Sequence, residues 1–177
     1  MIIQFCGLSG SGKSTIAGRV KELLREQNVP VEIIDGDEYR KVLCSDLGFS
    51  KEDRNTNIRR LAFVAGKLSS YNIVTIICAI NPYEAIREEI KAQYPHAKTV
   101  FIDCSMEVLQ ERDTKGLYKK ALLPDNHPDK VYNLTGVNDP FDVPGAPDLV
   151  ICSDKEGVEE SAGRLMAFIL ANYAVIV

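Results

Sequence analysis

Basic residues are in the minority in this chain: 21 Lys and Arg stand against 25 Asp and Glu, a formal net charge of −4. That balance offers no broad cationic surface for nucleic acid, so any anion site must be local. Long hydrophobic runs are missing too. No stretch approaches the roughly 20 apolar residues that a membrane span needs. Nothing ahead of the first motif has the regions of a secretory leader. The expectation is a cytoplasmic protein with no nucleic-acid or membrane partner. The five cysteines, Cys6, Cys44, Cys78, Cys104 and Cys152, are odd in number and form no C-x-x-C pair. This argues against a disulfide framework and against a zinc site. Four of them fall at or just beyond the C-terminal ends of predicted strands, where small buried side chains fit. His96 and His127 stand apart from each other and from any carboxylate pattern, and neither is assigned a role. No repeat, low-complexity tract or linker divides the 177 residues. That length suits one domain with a sizeable core, so residues 1–177 are expected to form a single unit.

Glycine, by contrast, is concentrated at the start. The run Gly7-Leu8-Ser9-Gly10-Ser11-Gly12-Lys13-Ser14 fits G-x-x-x-x-G-K-[ST] in full. It follows an apolar stretch and precedes an amphipathic one, the strand–loop–helix order that a phosphate-binding P-loop requires. The glycines let the backbone curl until its N–H groups form an anion nest. The helix behind it adds the positive end of its dipole. In such a loop Lys13 reaches the β- and γ-phosphates of a nucleoside triphosphate, and the Ser14 hydroxyl faces Mg²⁺.

Short apolar runs alternate with helical patterns along the rest of the chain. Strands are predicted at residues 2–6, 31–34, 73–78, 99–102 and 149–152. Helices are predicted at 14–26, 39–44, 56–70, 85–93, 106–112 and 158–171. Near-continuous apolar strands separated by helices mean a parallel sheet covered on both faces. The expected fold class is α/β: a three-layer α/β/α sandwich, P-loop NTPase-like, with about five strands. Ligands in such sheets sit beyond the carboxyl ends of the strands. The exception to the alternation is residues 113–147, with five prolines and few periodic apolar positions. A segment of that length is expected to be a lid that closes over substrate.

A second set of polar residues follows strand two. Asp35-Gly36-Asp37 ends the strand, and Arg40 lies three residues beyond Asp37, on one face of a helical turn. An aspartate here can hold Mg²⁺ or accept a proton from an attacking hydroxyl. Asp46-Leu47-Gly48-Phe49-Ser50, Asp53-Arg54, Asn57 and Arg59-Arg60 come next. Arginine forks suit anions and a phenylalanine suits stacking on a base. The natural inference is a second anionic ligand that carries a base. Arg59 and Arg60 also fit a solvated helix face.

In this order and spacing, the P-loop, D-G-D-x-x-R, D-L-G-F-S, D-R-x-x-N, Lys115-Gly116-Leu117-Tyr118 and Thr135-Gly136 with Asp139-Pro140 resemble the adenylylsulfate kinases (APS kinases). The resemblance spans nearly the whole chain. It implies transfer of the γ-phosphate of ATP to the 3′-hydroxyl of adenylyl sulfate (APS), with Mg²⁺ as cofactor, in a homodimer. It implies Lys13 and Asp37 as the catalytic pair, Asp37 orienting the hydroxyl or taking its proton. ATP then meets Gly7, Ser9, Gly10, Ser11, Gly12, Lys13, Ser14 and Thr15. Arg112 lies over the adenine, and Asp154 and Gly157 line its other edge. The acceptor meets Asp37, Arg40, Phe49, Arg54, Asn57, Ile80, Asn81, Lys115, Leu117 and Leu134. Ser14 and Asp35 hold the metal.

Some positions depart from the family pattern. After strand three the family reads S-F-I-S-P-Y-R, whereas this chain reads Cys78-Ala79-Ile80-Asn81-Pro82-Tyr83-Glu84. Asn81 cannot carry a phosphoserine, and Glu84 reverses a charge near an anionic ligand. Leu134 stands for the Phe of F-T-G, which removes one ring of the clamp around the acceptor base; Tyr132 is a candidate replacement. The lid is longer, through Leu122 to Pro128. All these changes fall on the acceptor side. The readings therefore include a 3′-kinase for another nucleotide such as cytidine diphosphoramidate, a nucleotide-binding protein that has lost catalysis, and a small-metabolite P-loop kinase.

Overall fold

A computed structural model describes residues 1–173. The last four positions of the expected single unit, 174–177, lie outside the described residues. Among the described residues the chain forms five strands and seven helices in the order β1 (Ile2–Cys6), α1 (Lys13–Glu26), β2 (Val31–Asp35), α2 (Gly36–Val42), α3 (Lys51–Ser69), β3 (Val74–Cys78), α4 (Glu84–Gln93), β4 (Ala97–Asp103), α5 (Met106–Arg112), α6 (Leu117–Ala121), β5 (Leu149–Cys152) and α7 (Val158–Tyr173). The strands form one sheet in the order β2-β3-β1-β4-β5. Every pairing is parallel.

Both faces of the sheet are covered, as its apolar strands demand. On one face Ile3 and Phe5 of β1 pack with Ile16, Ala17, Val20 and Leu24 of α1 and with Ala162, Leu165 and Ile169 of α7. The spacing of the α1 residues is a helical stripe, so one side of α1 is buried and the other is solvated. On the opposite face Ile2, Ile34 and Ile77 meet Ile58, Leu61, Ala62 and Ala65 of α3 and Ile86 and Ile90 of α4. Among the described residues no helix is long and apolar enough to cross a membrane.

Three elements differ from the sequence reading in ways that position the site. The helix after β2 begins at Gly36, not residue 39, because Asp35 caps it by accepting hydrogen bonds from the N–H groups of Asp37 (2.9 Å) and Glu38 (3.3 Å). Helix α3 begins at Lys51, not 56. Ser50 is its N-cap: its Oγ accepts from the Asp53 N–H at 3.1 Å and donates to Asp53 Oδ2 at 2.7 Å. Arg54 and Asn57 thereby sit one turn apart on the buried side of a regular helix. The third difference is in the segment expected to be a lid. Residues 113–147 contain α6, and Tyr118, Ala121 and Leu134 form a separate small core with Cys104 and Leu109. Asp113 braces the first turn of α6, accepting from the N–H groups of Tyr118 and Lys119, each at 3.0 Å.

Candidate active site

The P-loop leaves β1 at Gly7, where a side chain has no room. A Cβ there would lie 2.5 Å from the Ile102 carbonyl oxygen of the adjacent strand β4. The loop then closes on Gly12, which caps α1 with φ 88°, the left-handed backbone that glycine adopts without strain. Lys13 follows and folds back over the loop. Its Nζ donates to the carbonyls of Gly7 (2.9 Å) and Leu8 (2.7 Å) and to Ser11 Oγ (3.3 Å). Burial pulls its pKa down to about 8, and the Lys115 ammonium adds to the shift. A cation destabilised in this way gains most from an anion placed beside it.

Strand β2 does not neighbour β1; β3 lies between them. The carboxylates at the end of β2 still reach the P-loop, because Asp35 Oδ2 accepts from the Ser14 hydroxyl at 3.2 Å. Asp37, on the first turn of α2, pairs with the Lys115 ammonium of the lid. A second lid contact lands on the P-loop itself: the buried Tyr118 hydroxyl donates to the Ser9 carbonyl at 2.8 Å. Desolvation pushes that phenol up to about 12, so it stays a donor across the physiological range.

One cavity of about 380 Å³ joins these groups to the second set. Ser9, Gly10, Gly12, Lys13, Ser14 and Thr15 line one end. Arg40, Phe49, Arg54 and Asn57 line the other, with Asp35, Asp37, Ile80, Asn81 and Lys115 also on the wall. Gly7 and Ser11 shape the loop from behind, Ser11 being fully buried. The Arg40 and Arg54 guanidiniums lie 4.7 and 5.5 Å from the centre of the Phe49 ring. Arg40 donates to the Gly48 carbonyl at 2.9 Å. Burial lowers the Arg40 pKa, and the Arg54 charge beside it adds to that. Arg54 is itself buried. It donates to the Phe49 carbonyl (3.0 Å) and to the Asn133 carbonyl of the lid (2.7 Å), and it pairs with Asp139 at 3.1 Å. Asn57 Oδ1 and Asn81 Oδ1 are buried acceptors with no hydrogen-bond partner in the protein.

Arg59 and Arg60 point elsewhere. Arg59 forks onto Glu89 at 2.7 and 2.8 Å. Arg60 grips Asp46 and the Leu43 carbonyl, which pins the loop that carries Phe49.

The remaining predicted residues lie apart from this cavity. Arg112 and Asp154 gather beside Ser153 on the far side of the P-loop, and Gly157 immediately precedes α7. Arg112 donates to the Ser153 carbonyl at 2.8 Å, Asp154 accepts from the Ser105 N–H at 3.1 Å, and a Cβ on Gly12 would sit 3.9 Å from Ser153 Cβ. Leu117 and Leu134 pack into the lid core and do not line the cavity. Tyr132 does not replace the missing ring: it is exposed, and its hydroxyl donates to the Asp125 carbonyl within the lid. Glu84 does not face the cavity either. It pairs with Arg87, whose side chain is fully buried. Sequence reasoning missed Arg87, Gln4 and the tether made by Tyr118. Gln4 did carry a signal, as the one polar residue inside an otherwise apolar five-residue strand. All four cysteines at strand ends are free, and burial pushes the Cys6 and Cys78 thiols up to about 12, which keeps them unreactive. Among the described residues no cluster of three or more His, Cys, Asp or Glu is built to hold a metal. A Mg²⁺ site would instead draw on Ser14 and Asp35.

Known proteins share this arrangement of elements. The chain matches the adenylylsulphate kinase family over residues 1–152. It is 47% identical over 166 residues to the probable bifunctional SAT/APS kinase 2 of Sorangium cellulosum, covering 94% of this chain and 28% of that protein. It is 41% identical over 171 residues to the adenylyl-sulfate kinase of Deinococcus deserti, covering 97% of this chain and 92% of the relative. Its fold superposes with a TM-score of 0.87 on the APS kinase CysC of Mycobacterium tuberculosis, solved in complex with AMPPNP and APS, at 34% identity over 96% of each chain. The chain thus spans less than a third of the bifunctional relative and nearly all of the Deinococcus enzyme. A family match across most of its length, joined to relatives at this identity, places the chain plainly: it belongs to the adenylylsulphate kinase family.

Proposed function

We propose that this protein transfers the γ-phosphate of ATP to the 3′-hydroxyl of adenylyl sulfate. One observation supports this reading above the others: the phosphate nest around Lys13 and the Arg40–Phe49–Arg54–Asn57 group line one cavity, with Asp37 on its wall. In this reading the P-loop N–H groups and Lys13 bind the triphosphate, and Arg112, Asp154 and Gly157 flank its base. Arg40 and Arg54 hold the anionic part of the acceptor, and Phe49 stacks on its base. Asn57 Oδ1, buried and without a protein partner, accepts a hydrogen bond from the ligand.

The acceptor oxygen attacks the γ-phosphorus in line, and the bond to the β–γ bridging oxygen breaks. ADP leaves, and the hydroxyl proton passes to Asp37. The protein's contribution is positioning and charge neutralisation, which is what phosphoryl transfer needs. The donor set fits Mg²⁺: Ser14 Oγ and Asp35 Oδ2 are hard oxygens 3.2 Å apart, and Asp35 Oδ1 is already committed to two backbone N–H groups. When bound, the ion neutralises charge on the β- and γ-phosphates.

A different nucleotide acceptor is favoured by one feature. Phe49 is the single aromatic side chain among the described residues that line the cavity, and a one-ring clamp suits a smaller base. A coupled assay of ADP release, with Mg²⁺ and a panel of APS, cytidine diphosphoramidate and simple nucleoside monophosphates, tests the proposal. ADP release dependent on APS is the expected result. Release dependent only on another acceptor, or on none, overturns it.

A further inference from the structure

Beneath the cavity floor lies a positive charge that the reaction above does not use. Arg87 has no exposed surface. Its guanidinium joins three segments. Nε and Nη2 both donate to Glu84 Oε2, the first at 2.8 Å. Nη1 donates to the Asn81 carbonyl at 2.7 Å, and Nη2 also reaches the Asp142 carbonyl at 2.6 Å. Glu84 uses its second oxygen as well, for Oε1 accepts from the Gly145 N–H at 3.2 Å. Two further bonds close the seam: Asp142 Oδ2 accepts from the Glu84 N–H at 3.0 Å, and the Asp142 N–H donates to the Pro82 carbonyl at 2.8 Å.

Every one of these bonds joins the loop after β3 to the far limb of the lid, or braces that loop from below. Asn81 and Pro82 of the loop line the cavity. Gln4 supports Asn81 from within the sheet. Its amide donates to the Arg87 carbonyl and to Thr99 Oγ1, both at 3.0 Å, and its Oε1 accepts from Asn81 Nδ2 at 3.1 Å. The near limb of the lid is held separately, by Lys115 on Asp37 and Tyr118 on Ser9. The lid is therefore fastened at both ends and, by Arg54 on Asn133 and Asp139, between them; only the far fastening runs through the loop after β3.

We infer that Glu84 is a positioning residue for the acceptor nucleotide, because through Arg87 it fixes the Asn81–Pro82 floor of the cavity to the Asp142–Gly145 limb of the lid. The inference rests on the two-ligand reading given above. Both oxygens of Glu84 accept hydrogen bonds from fixed donors. A glutamine has one acceptor oxygen and an NH₂ group, so it must turn a donor toward either Arg87 or the Gly145 N–H. The altered bonds lie in the seam; the one backbone bond from this loop to the P-loop, from the Gly7 N–H to the Ile80 carbonyl (3.1 Å), is not among them.

The test compares Glu84→Gln, Asp142→Ala and the wild type in steady-state kinetics, using whichever acceptor of the panel the wild type phosphorylates. Asp142→Ala removes the lid's hold on the Glu84 N–H at an exposed loop position and carries the readout alone if Glu84→Gln does not fold. Glu89→Gln, which breaks only the surface pair with Arg59, is the control. The expected result is a rise of about tenfold in KM for the acceptor, with KM for ATP within about twofold of wild type, the split that separates positioning of one substrate from general loosening. An unchanged acceptor KM in the folded variants, even with a lowered melting temperature, overturns the inference and makes the seam a purely structural one. Equal rises in both KM values overturn it too. A wild type that phosphorylates APS while the variants show either of those patterns leaves the proposed function standing. A wild type with no acceptor nucleotide at all removes both.

Discussion

Lys13 titrates where an enzyme assay can see it. Its ammonium is buried against the carbonyls of the P-loop, and its pKa is pulled down to about 8. A bound triphosphate places negative charge beside it, which returns the pKa toward the ordinary lysine value of about 10.4. The sign follows. Well below pH 8 the lysine is already protonated and nucleotide binding takes up almost no proton. Between pH 8 and the raised value of the complex, binding must first load a proton, so affinity falls as pH rises. With a free-state value of about 8 the protonated fraction drops about tenfold between pH 7 and pH 9, and nucleotide affinity should drop by the same factor. The neighbouring thiols do not confuse the window, since Cys6 and Cys78 are pushed up to about 12. Calorimetric titration with Mg-ADP at pH 7, 8 and 9, in two buffers of different ionisation enthalpy, reads both quantities. Near pH 8 it should show uptake of about half a proton per site. Lys13→Met should lose the affinity and the slope together. A flat affinity with no proton uptake in the wild type would refute the claim that Lys13 is a destabilised cation waiting for phosphate.

Three further outcomes are expected. Asp37→Ala should lower kcat by about 10²- to 10⁴-fold, the range for losing a positioned acid–base group, while the Kd for Mg-ADP stays within about twofold; a wild-type rate in single-turnover quench experiments removes Asp37 from the mechanism. Tyr118→Phe deletes the bond from the lid to the Ser9 carbonyl. It should cost about 1 kcal/mol of stability, measured by urea unfolding, and raise KM for ATP a few-fold; no change in either measurement would show that the tether carries no energy. Gly7→Ala puts a Cβ 2.5 Å from the Ile102 carbonyl oxygen, so the loop must shift. Nucleotide binding should be lost while the far-ultraviolet circular dichroism stays that of the wild type, and retained binding would mean that β4 yields instead.

The strands and the P-loop were legible because their signals are local. A short, nearly apolar run that ends at the first glycine of the P-loop reads as a central parallel strand, and β1 is one, buried at all five positions. What sequence spacing does not carry is lateral order. The sequence places Asp35 at the end of a strand, but does not say which strand lies beside β1. The structure inserts β3 between β2 and β1, yet keeps Asp35 on Ser14, because the end of β2 and the start of α1 reach the same rim. Helix α6 went unread because five residues are too few to show a helical period. The start of α3 was legible in principle, since Ser50-x-x-Asp53 is a helix-capping pattern, but the same residues were absorbed into a ligand motif. Leu117 and Leu134 were placed on the acceptor by resemblance alone. Their burial with Tyr118 is a long-range packing fact that no window of sequence contains.

The same packing bears on whether the unusual acceptor side means lost activity. Three of the departures from the family pattern have a local partner. Glu84 supplies the counter-charge to a fully buried Arg87, and a cation buried without one costs several kcal/mol. Asn81 holds φ 49°, a left-handed backbone in which asparagine is among the best tolerated of the residues other than glycine, and Gln4 receives its amide. Leu134 fills the lid core beside Tyr118, the residue that fastens the lid to Ser9. Lys13 meanwhile stays folded on the nest, Ser14 lies against Asp35 and the lid ammonium of Lys115 meets Asp37, the contacts that the proposed phosphoryl transfer calls on. Under the proposed function a simple test for ATP binding would not tell these readings apart, so the nucleotide panel is the measurement that discriminates.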